Sequence, residues 1–146
     1  MVDKLASGTY ADIRIALPNI KLVQVIHVID EKSVAEAIKI SEEVDYLLLD
    51  SGNPNAKIKE LGGTGRVHNW ELSREIRKAI NIPIFLAGGL NPENVKQAIE
   101  KVQPFGLDLC TGVRTKDKLD VVKLENFFNT IEECKIVPPS SGVFCL

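Results

Sequence analysis

The chain is short of the residues that build metal centres and disulfide frameworks. Its three cysteines, Cys110, Cys134 and Cys145, are odd in number and far apart, and His27 and His68 are its only histidines. Neither paired cysteines nor spaced metal ligands are indicated, so reduced packing or surface thiols and no bound metal are expected. Long hydrophobic runs are also missing. No stretch approaches the roughly 18 apolar residues of a membrane span, and no basic segment with an apolar run and a small-residue cleavage site opens the sequence. The expectation is a cytoplasmic protein with no membrane partner. Positive charge is not concentrated either: the net charge is −2 and the 18 basic residues are scattered, which argues against nucleic acid as a partner.

What remains is a 146-residue chain with 45% apolar and 26% charged residues, enough for one globular domain with a real core. Four short apolar runs, Leu22 to Val28, Val44 to Leu49, Ile84 to Ala87 and Phe105 to Cys110, have the composition of buried parallel strands. A helical pattern follows each. Ser33 and Glu36 have capping-box spacing ahead of Val34, Ala37 and Ile38. Asn69 is a candidate N-cap before Leu72, Ile76, Ala79 and Ile80, with Pro83 ending that segment. Asn91 followed by Pro92 marks the next start, with Val95, Ala98, Ile99 and Val102 facing the core and Pro104 closing it. Leu124, Phe127, Phe128 and Ile131 repeat at core-facing spacing in the last helix. Ahead of the first strand, Tyr10 to Leu17 reads as a helix with Ile13, Ala16 and Leu17 on one face. Residues 135–146, rich in proline, serine and glycine, are expected to form an irregular tail.

Strands alternating with helices imply an α/β fold with a parallel sheet, either doubly wound or part of a barrel. Two features favour a barrel. Polar and glycine residues gather just after the strands, at Asp50-Ser51-Gly52, Gly88-Gly89 and Thr111-Gly112, where barrel enzymes place their sites. No Gly-x-Gly-x-x-Gly follows the first strand, which weakens a dinucleotide-binding reading.

Asp50 ends an apolar strand, where poor solvation favours the protonated form that a general acid needs, although a loop-closing aspartate is an equal reading. Asp108 is a charge inside an apolar strand, on the same side as Cys110, and must either pair with a base or face a polar site. Gly88 and Gly89 lie between a strand and a helix start, a setting for an anion on bare backbone N–H groups. The Thr111 to Thr115 loop follows the last strand, and barrel enzymes often share one phosphate between their last two such loops. The long glycine loop from Gly62 to Trp70, with Gly63 and Gly65, has the character of a lid over the strand ends. His27 inside a strand is read as a satisfied core histidine and His68 as a structural loop residue.

In order, Leu47-Leu48-Leu49-Asp50-Ser51, Gly62-Gly63-Thr64-Gly65 with Trp70, Ala87-Gly88-Gly89-Leu90-Asn91-Pro92-Glu93-Asn94-Val95, and Asp108 before Thr111-Gly112-Val113 resemble the phosphoribosylanthranilate isomerase family over roughly Leu22 to Glu133. The resemblance implies strands five to eight of a (βα)8 TIM barrel. Residues 1–134 would then form a partial, incomplete barrel of about four strands. It implies an Amadori rearrangement of phosphoribosylanthranilate in tryptophan biosynthesis, without cofactor or metal. Asp50 would be the general acid, Asp108, Gly63 and Gly65 substrate contacts, and Gly88, Gly89, Thr111 and Gly112 the phosphate loops.

The family's base, a strand-one cysteine in a Lys-(Ile/Val)-Cys-Gly motif, has no counterpart here, and Arg114 stands where many members have glutamate. The resemblance therefore implies little turnover by this polypeptide alone. It implies a phosphosugar ligand, with self-association or a complementary half-barrel chain to cover open sheet edges. A non-catalytic phosphate-binding half-barrel and a different phosphosugar barrel enzyme are the competing readings.

Overall fold

A computed structural model describes residue 1, residues 5–51 and 69–134, and the backbone of residues 144–145. Its helices are α1 (Tyr10–Ala16), α2 (Glu31–Ser41), α3 (Trp70–Ala79), α4 (Val95–Val102) and α5 (Val121–Glu133). Its strands are β1 (Val23–His27), β2 (Tyr46–Asp50), β3 (Ile84–Leu86), β4 (Gly106–Leu107), β5 (Arg114–Thr115), β6 (Lys118–Leu119) and β7 (Phe144–Cys145). β1 to β4 pair in parallel and in chain order, and β7 adds in parallel beside β4. Beyond the other edge, the Met1 amino group donates to the Val23 carbonyl and the Val25 N–H donates to the Met1 carbonyl. Each outer strand of the four thus has backbone company among the described residues. The tail otherwise lies outside them, and so do residues 2–4.

Strand order and helix packing separate the two sheet types left open by the sequence. α2 packs on α3, α3 on α4 and α4 on α5, so successive helices lie side by side in one layer. A doubly wound sheet would put some of them on the opposite face. The pleat shows the same division. Ile26, Leu47, Leu49, Ile84, Leu86 and Leu107 join Ala37, Ile76, Val95, Ala98, Val102 and Phe127 of the helices in one core. The alternate residues Val23, Val25, Tyr46 and Leu48 turn the other way and are only half-buried. On that second face Tyr46, Phe85 and Phe105 meet in tilted and edge-on pairs with ring centroids 5.6 to 6.0 Å apart.

Several local details differ from the sequence reading. α2 starts three residues earlier than the Ser33–Glu36 spacing implies, because Asp30 is the N-cap and Ser33 completes its capping box. Asn69 does cap α3. Asn91 instead caps a turn, its side-chain oxygen accepting from the N–H groups of Glu93 and Asn94, and the α-helix begins only at Val95. Phe127 is fully buried, but Phe128 is 42% exposed. In α1, Tyr10 and Ile13 meet the core while Leu17 is exposed. The run from Phe105 to Cys110 yields only the short β4, ending at Leu107, and Cys110 is exposed before a 3-10 turn over Thr111–Val113. The β5–β6 hairpin had no sequence signal, since its turn residues Lys116 and Asp117 adopt positive φ without glycine.

Candidate active site

The parallel register brings one residue from each strand into a row along the C-terminal end of the sheet. His27 is the partner of Asp50. Leu49 pairs with Leu86 and Leu86 with Leu107, so the next positions, Asp50, Ala87 and Asp108, continue the row. All four positions alternate with residues of the helix-side core and therefore share the second face. Ala87, between the two carboxylate-bearing positions, is buried.

Asp50 is 6% exposed and accepts a 2.8 Å hydrogen bond from the Ser51 N–H. Asp108 is half-buried, and no cation pairs with it among the described residues. Burial first, and the nearby Asp50 charge second, push the Asp108 carboxyl above its ordinary value. The two carboxyls stand on the same sheet face, on the strands either side of Ala87.

His27 is the residue that sequence reasoning missed. Both its ring nitrogens are shut off from solvent, and neither has a hydrogen-bond partner among the described residues. It is therefore not the satisfied core histidine expected. The available signal was parity: Gln24 and Ile26 of β1, and Val28 just beyond it, alternate with it, so it shares the face that carries Asp50. Ser33 anchors the backbone there, its hydroxyl donating to the His27 carbonyl at 3.1 Å and accepting from the Ile29 N–H at 3.0 Å.

Three loops beyond the row are locked by close approaches that only glycine permits. At Gly88 a Cβ would stand 2.7 Å from the Ser51 hydroxyl oxygen and 2.8 Å from the Ser51 N, and at Gly112 a Cβ would stand 1.8 Å from the Leu90 carbonyl oxygen. Gly88 and Gly89 also have φ of 86° and 66°, where side chains are disfavoured. Asn94 fixes this turn by donating to the Gly89 carbonyl at 2.9 Å and accepting from the Asn91 N–H at 2.9 Å. Gly88, Gly89, Thr111 and Gly112 are thus gathered at the same end of the sheet as Asp50 and Asp108. Gly63 and Gly65 lie outside the described residues.

Among the described residues no group of three His, Cys, Asp or Glu side chains is arranged to hold a metal ion. None of the described helices is long and apolar enough to cross a membrane. Cys134, half-buried at the end of α5, donates to the Thr130 carbonyl, and burial raises its thiol pKa. It lies far from the site in the chain and on the helix layer.

Comparison with known proteins follows the same lines. The family model described as N-(5'phosphoribosyl)anthranilate (PRA) isomerase matches residues 8–130. The N-(5'-phosphoribosyl)anthranilate isomerase of Methanosarcina acetivorans is 42% identical over 108 residues, covering 73% of this chain and 44% of that protein. The crystal structure of phosphoribosyl anthranilate isomerase from Thermotoga maritima superposes with a TM-score of 0.68 at 28% identity, covering 87% of this chain and 58% of that one. A crystal structure of such an isomerase in complex with reduced 1-(o-carboxyphenylamino)-1-deoxyribulose 5-phosphate has a TM-score of 0.65 at 25% identity, covering 87% of this chain and 56% of that one. This chain spans about half the length of the curated relatives it matches.

Proposed function

Because the chain belongs to the N-(5'-phosphoribosyl)anthranilate isomerase family, we propose that it supplies the C-terminal half of a (βα)8-barrel site for the Amadori rearrangement of phosphoribosylanthranilate in tryptophan biosynthesis. The observation that carries this reading is the pair of carboxyls, Asp50 and Asp108, on one sheet face beside the interlocked glycine loops. In the proposed reaction the Asp50 carboxyl gives its proton to the ribose ring oxygen as the carbon–oxygen bond to carbon 1′ breaks. The electron pair on the anthranilate nitrogen fills the vacancy, leaving an iminium. Loss of the carbon 2′ proton to a base then yields the enol amine, which settles as the ketone. Asp108 holds substrate hydroxyls in its wall of the site, and by family resemblance Gly63 and Gly65 are further substrate contacts. Gly88, Gly89, Thr111 and Gly112 take the phosphate through backbone N–H groups.

The base is the missing part. No Lys-(Ile/Val)-Cys-Gly motif occurs in the chain, and β7 brings Cys145 opposite Leu107 rather than into the row of Asp108. We therefore expect little turnover by the chain alone. The half-buried face with Val23, Val25, Tyr46 and Leu48 favours association with a complementary half-barrel or a second copy, because apolar surface left open there is covered in a closed barrel. Proposed Asp50 chemistry uses no cofactor.

The test mixes freshly made phosphoribosylanthranilate with the purified chain and follows loss of its fluorescence, beside calorimetric titration with ribitol 5-phosphate. The expected result is negligible turnover with measurable phosphosugar binding that Gly89→Asp weakens by charge repulsion. Robust turnover abolished by Asp50→Asn would keep the acid and overturn the half-site reading. Turnover that survives Asp50→Asn would remove Asp50 from its role, and affinity unchanged in Gly89→Asp would remove the β3 loop.

A further inference from the structure

We infer that His27 is a ligand-binding residue that recognises the arylamino end of the substrate, the end farthest from the phosphate. The inference rests on the phosphosugar reading above and adds a residue to it. A neutral imidazole carries one N–H donor and one acceptor nitrogen, and a protonated one carries two donors. Both nitrogens are buried without a partner among the described residues, an arrangement that is costly unless a polar group arrives. The surroundings identify where that group comes from. β1 ends against β2 with His27 and Asp50 in register, and the Ser33 hydroxyl holds the His27 carbonyl, so the imidazole is presented from a fixed strand end onto the face that carries both carboxyls.

Position along the row then selects the part of the ligand. The glycine loops follow β3 and β4, Asp50 ends β2, and His27 ends β1, one strand beyond Asp50. Neighbouring strands are about 4.8 Å apart, so His27 stands roughly 10 Å from the β3 strand end. A phosphate on the β3 and β4 loops with its ring oxygen at Asp50 has used that sugar's length by the time it reaches β1. What remains for His27 is the substituent on carbon 1′, which in this substrate class is an amine bearing a carboxyphenyl group. The carboxylate or amine of that group offers the imidazole a hydrogen-bond partner, whereas an unsubstituted sugar phosphate does not reach it.

The experiment titrates the full chain calorimetrically with two probes, reduced 1-(o-carboxyphenylamino)-1-deoxyribulose 5-phosphate and ribitol 5-phosphate. The second shares the polyol and phosphate but has a hydroxyl in place of the arylamino group. Wild type is expected to prefer the arylamino probe. His27→Leu should lower affinity for that probe by about tenfold or more, as expected for a lost hydrogen bond to a charged group, with ribitol 5-phosphate changed by less than about twofold. His27→Asn, which keeps a donor and an acceptor, should recover part of the loss. Should His27→Leu fail to fold, 15N resonances of the wild-type imidazole still decide: they should move with the arylamino probe and stay with ribitol 5-phosphate. Equal losses for both probes, or none, overturn the assignment. Binding of ribitol 5-phosphate without preference for the arylamino probe overturns it and leaves the phosphate loops intact, whereas binding of neither probe overturns the phosphosugar reading and this inference together.

Discussion

Gly112→Ala should be among the most damaging single-methyl changes in this chain. The added Cβ would lie 1.8 Å from the Leu90 carbonyl oxygen, 2.8 Å from the Leu90 carbonyl carbon and 3.0 Å from the Asn91 Cα. Ordinary contact begins near 3.4 Å, so the β4 and β3 loops must part by about 1.6 Å. The obstacle is backbone, which has no rotamer to turn aside. Overpacking a well-filled site costs about 1–3 kcal/mol, and a backbone obstacle puts this change near the upper figure, about 3 kcal/mol. For a domain of this size that corresponds to a fall in Tm of roughly 10 °C. The perturbation also separates the two loops proposed to share a phosphate, so ribitol 5-phosphate affinity should fall with it. Thermal unfolding followed by far-UV circular dichroism and calorimetric titration read the two effects. Thr111→Ala, one residue away and exposed, should shift stability by less than about 0.5 kcal/mol. If Gly112→Ala melts within about 2 °C of wild type and binds equally well, the interlocked-loop geometry is wrong.

Asp108→Asn should stabilise the fold in a pH-dependent way. Burial and then the Asp50 charge raise the folded-state pKa of Asp108, so the folded chain binds this proton more tightly than the unfolded chain. Stability is therefore lost as pH rises from the unfolded value through the raised folded one. The amide removes that loss, giving a higher Tm near pH 7 and little gain near pH 3, below the ordinary carboxylate range; equal shifts at both would refute it. Phe127→Ala should cost about 3–5 kcal/mol in urea unfolding, because Phe127 is fully buried. Phe128→Ala should cost less than about 1 kcal/mol, and a reversed order would mean that α5 is rotated.

Much of the element order was legible because it depends on local residue patterns. The apolar runs at Val44 to Leu49 and Ile84 to Ala87 became β2 and β3, and Asn69 capped α3 as its spacing implied. Boundaries set by competing side chains were less legible. Asp30 displaced Ser33 as the α2 cap, and Asn91 spent its oxygen on a turn before α4. Helical periodicity also assigned Phe128 to the core beside Phe127, where a stripe one residue wider than its groove leaves one ring outside.

The site divides along the same physical boundary. Asp50, Asp108, Gly88, Gly89, Thr111 and Gly112 stood out by residue type at strand ends, which a sequence records directly. By itself the sequence determined alternating strands and helices, the strand-end cluster and the family, because these follow from periodicity, turn chemistry and ordered motifs. Tertiary structure decided that the helices form one layer, that His27 and Asp50 are register partners with the imidazole unpaired among the described residues, and that Gly112 meets Leu90. Those facts depend on strand pairing between distant segments and on packing to within an ångström, which residue type and spacing do not encode.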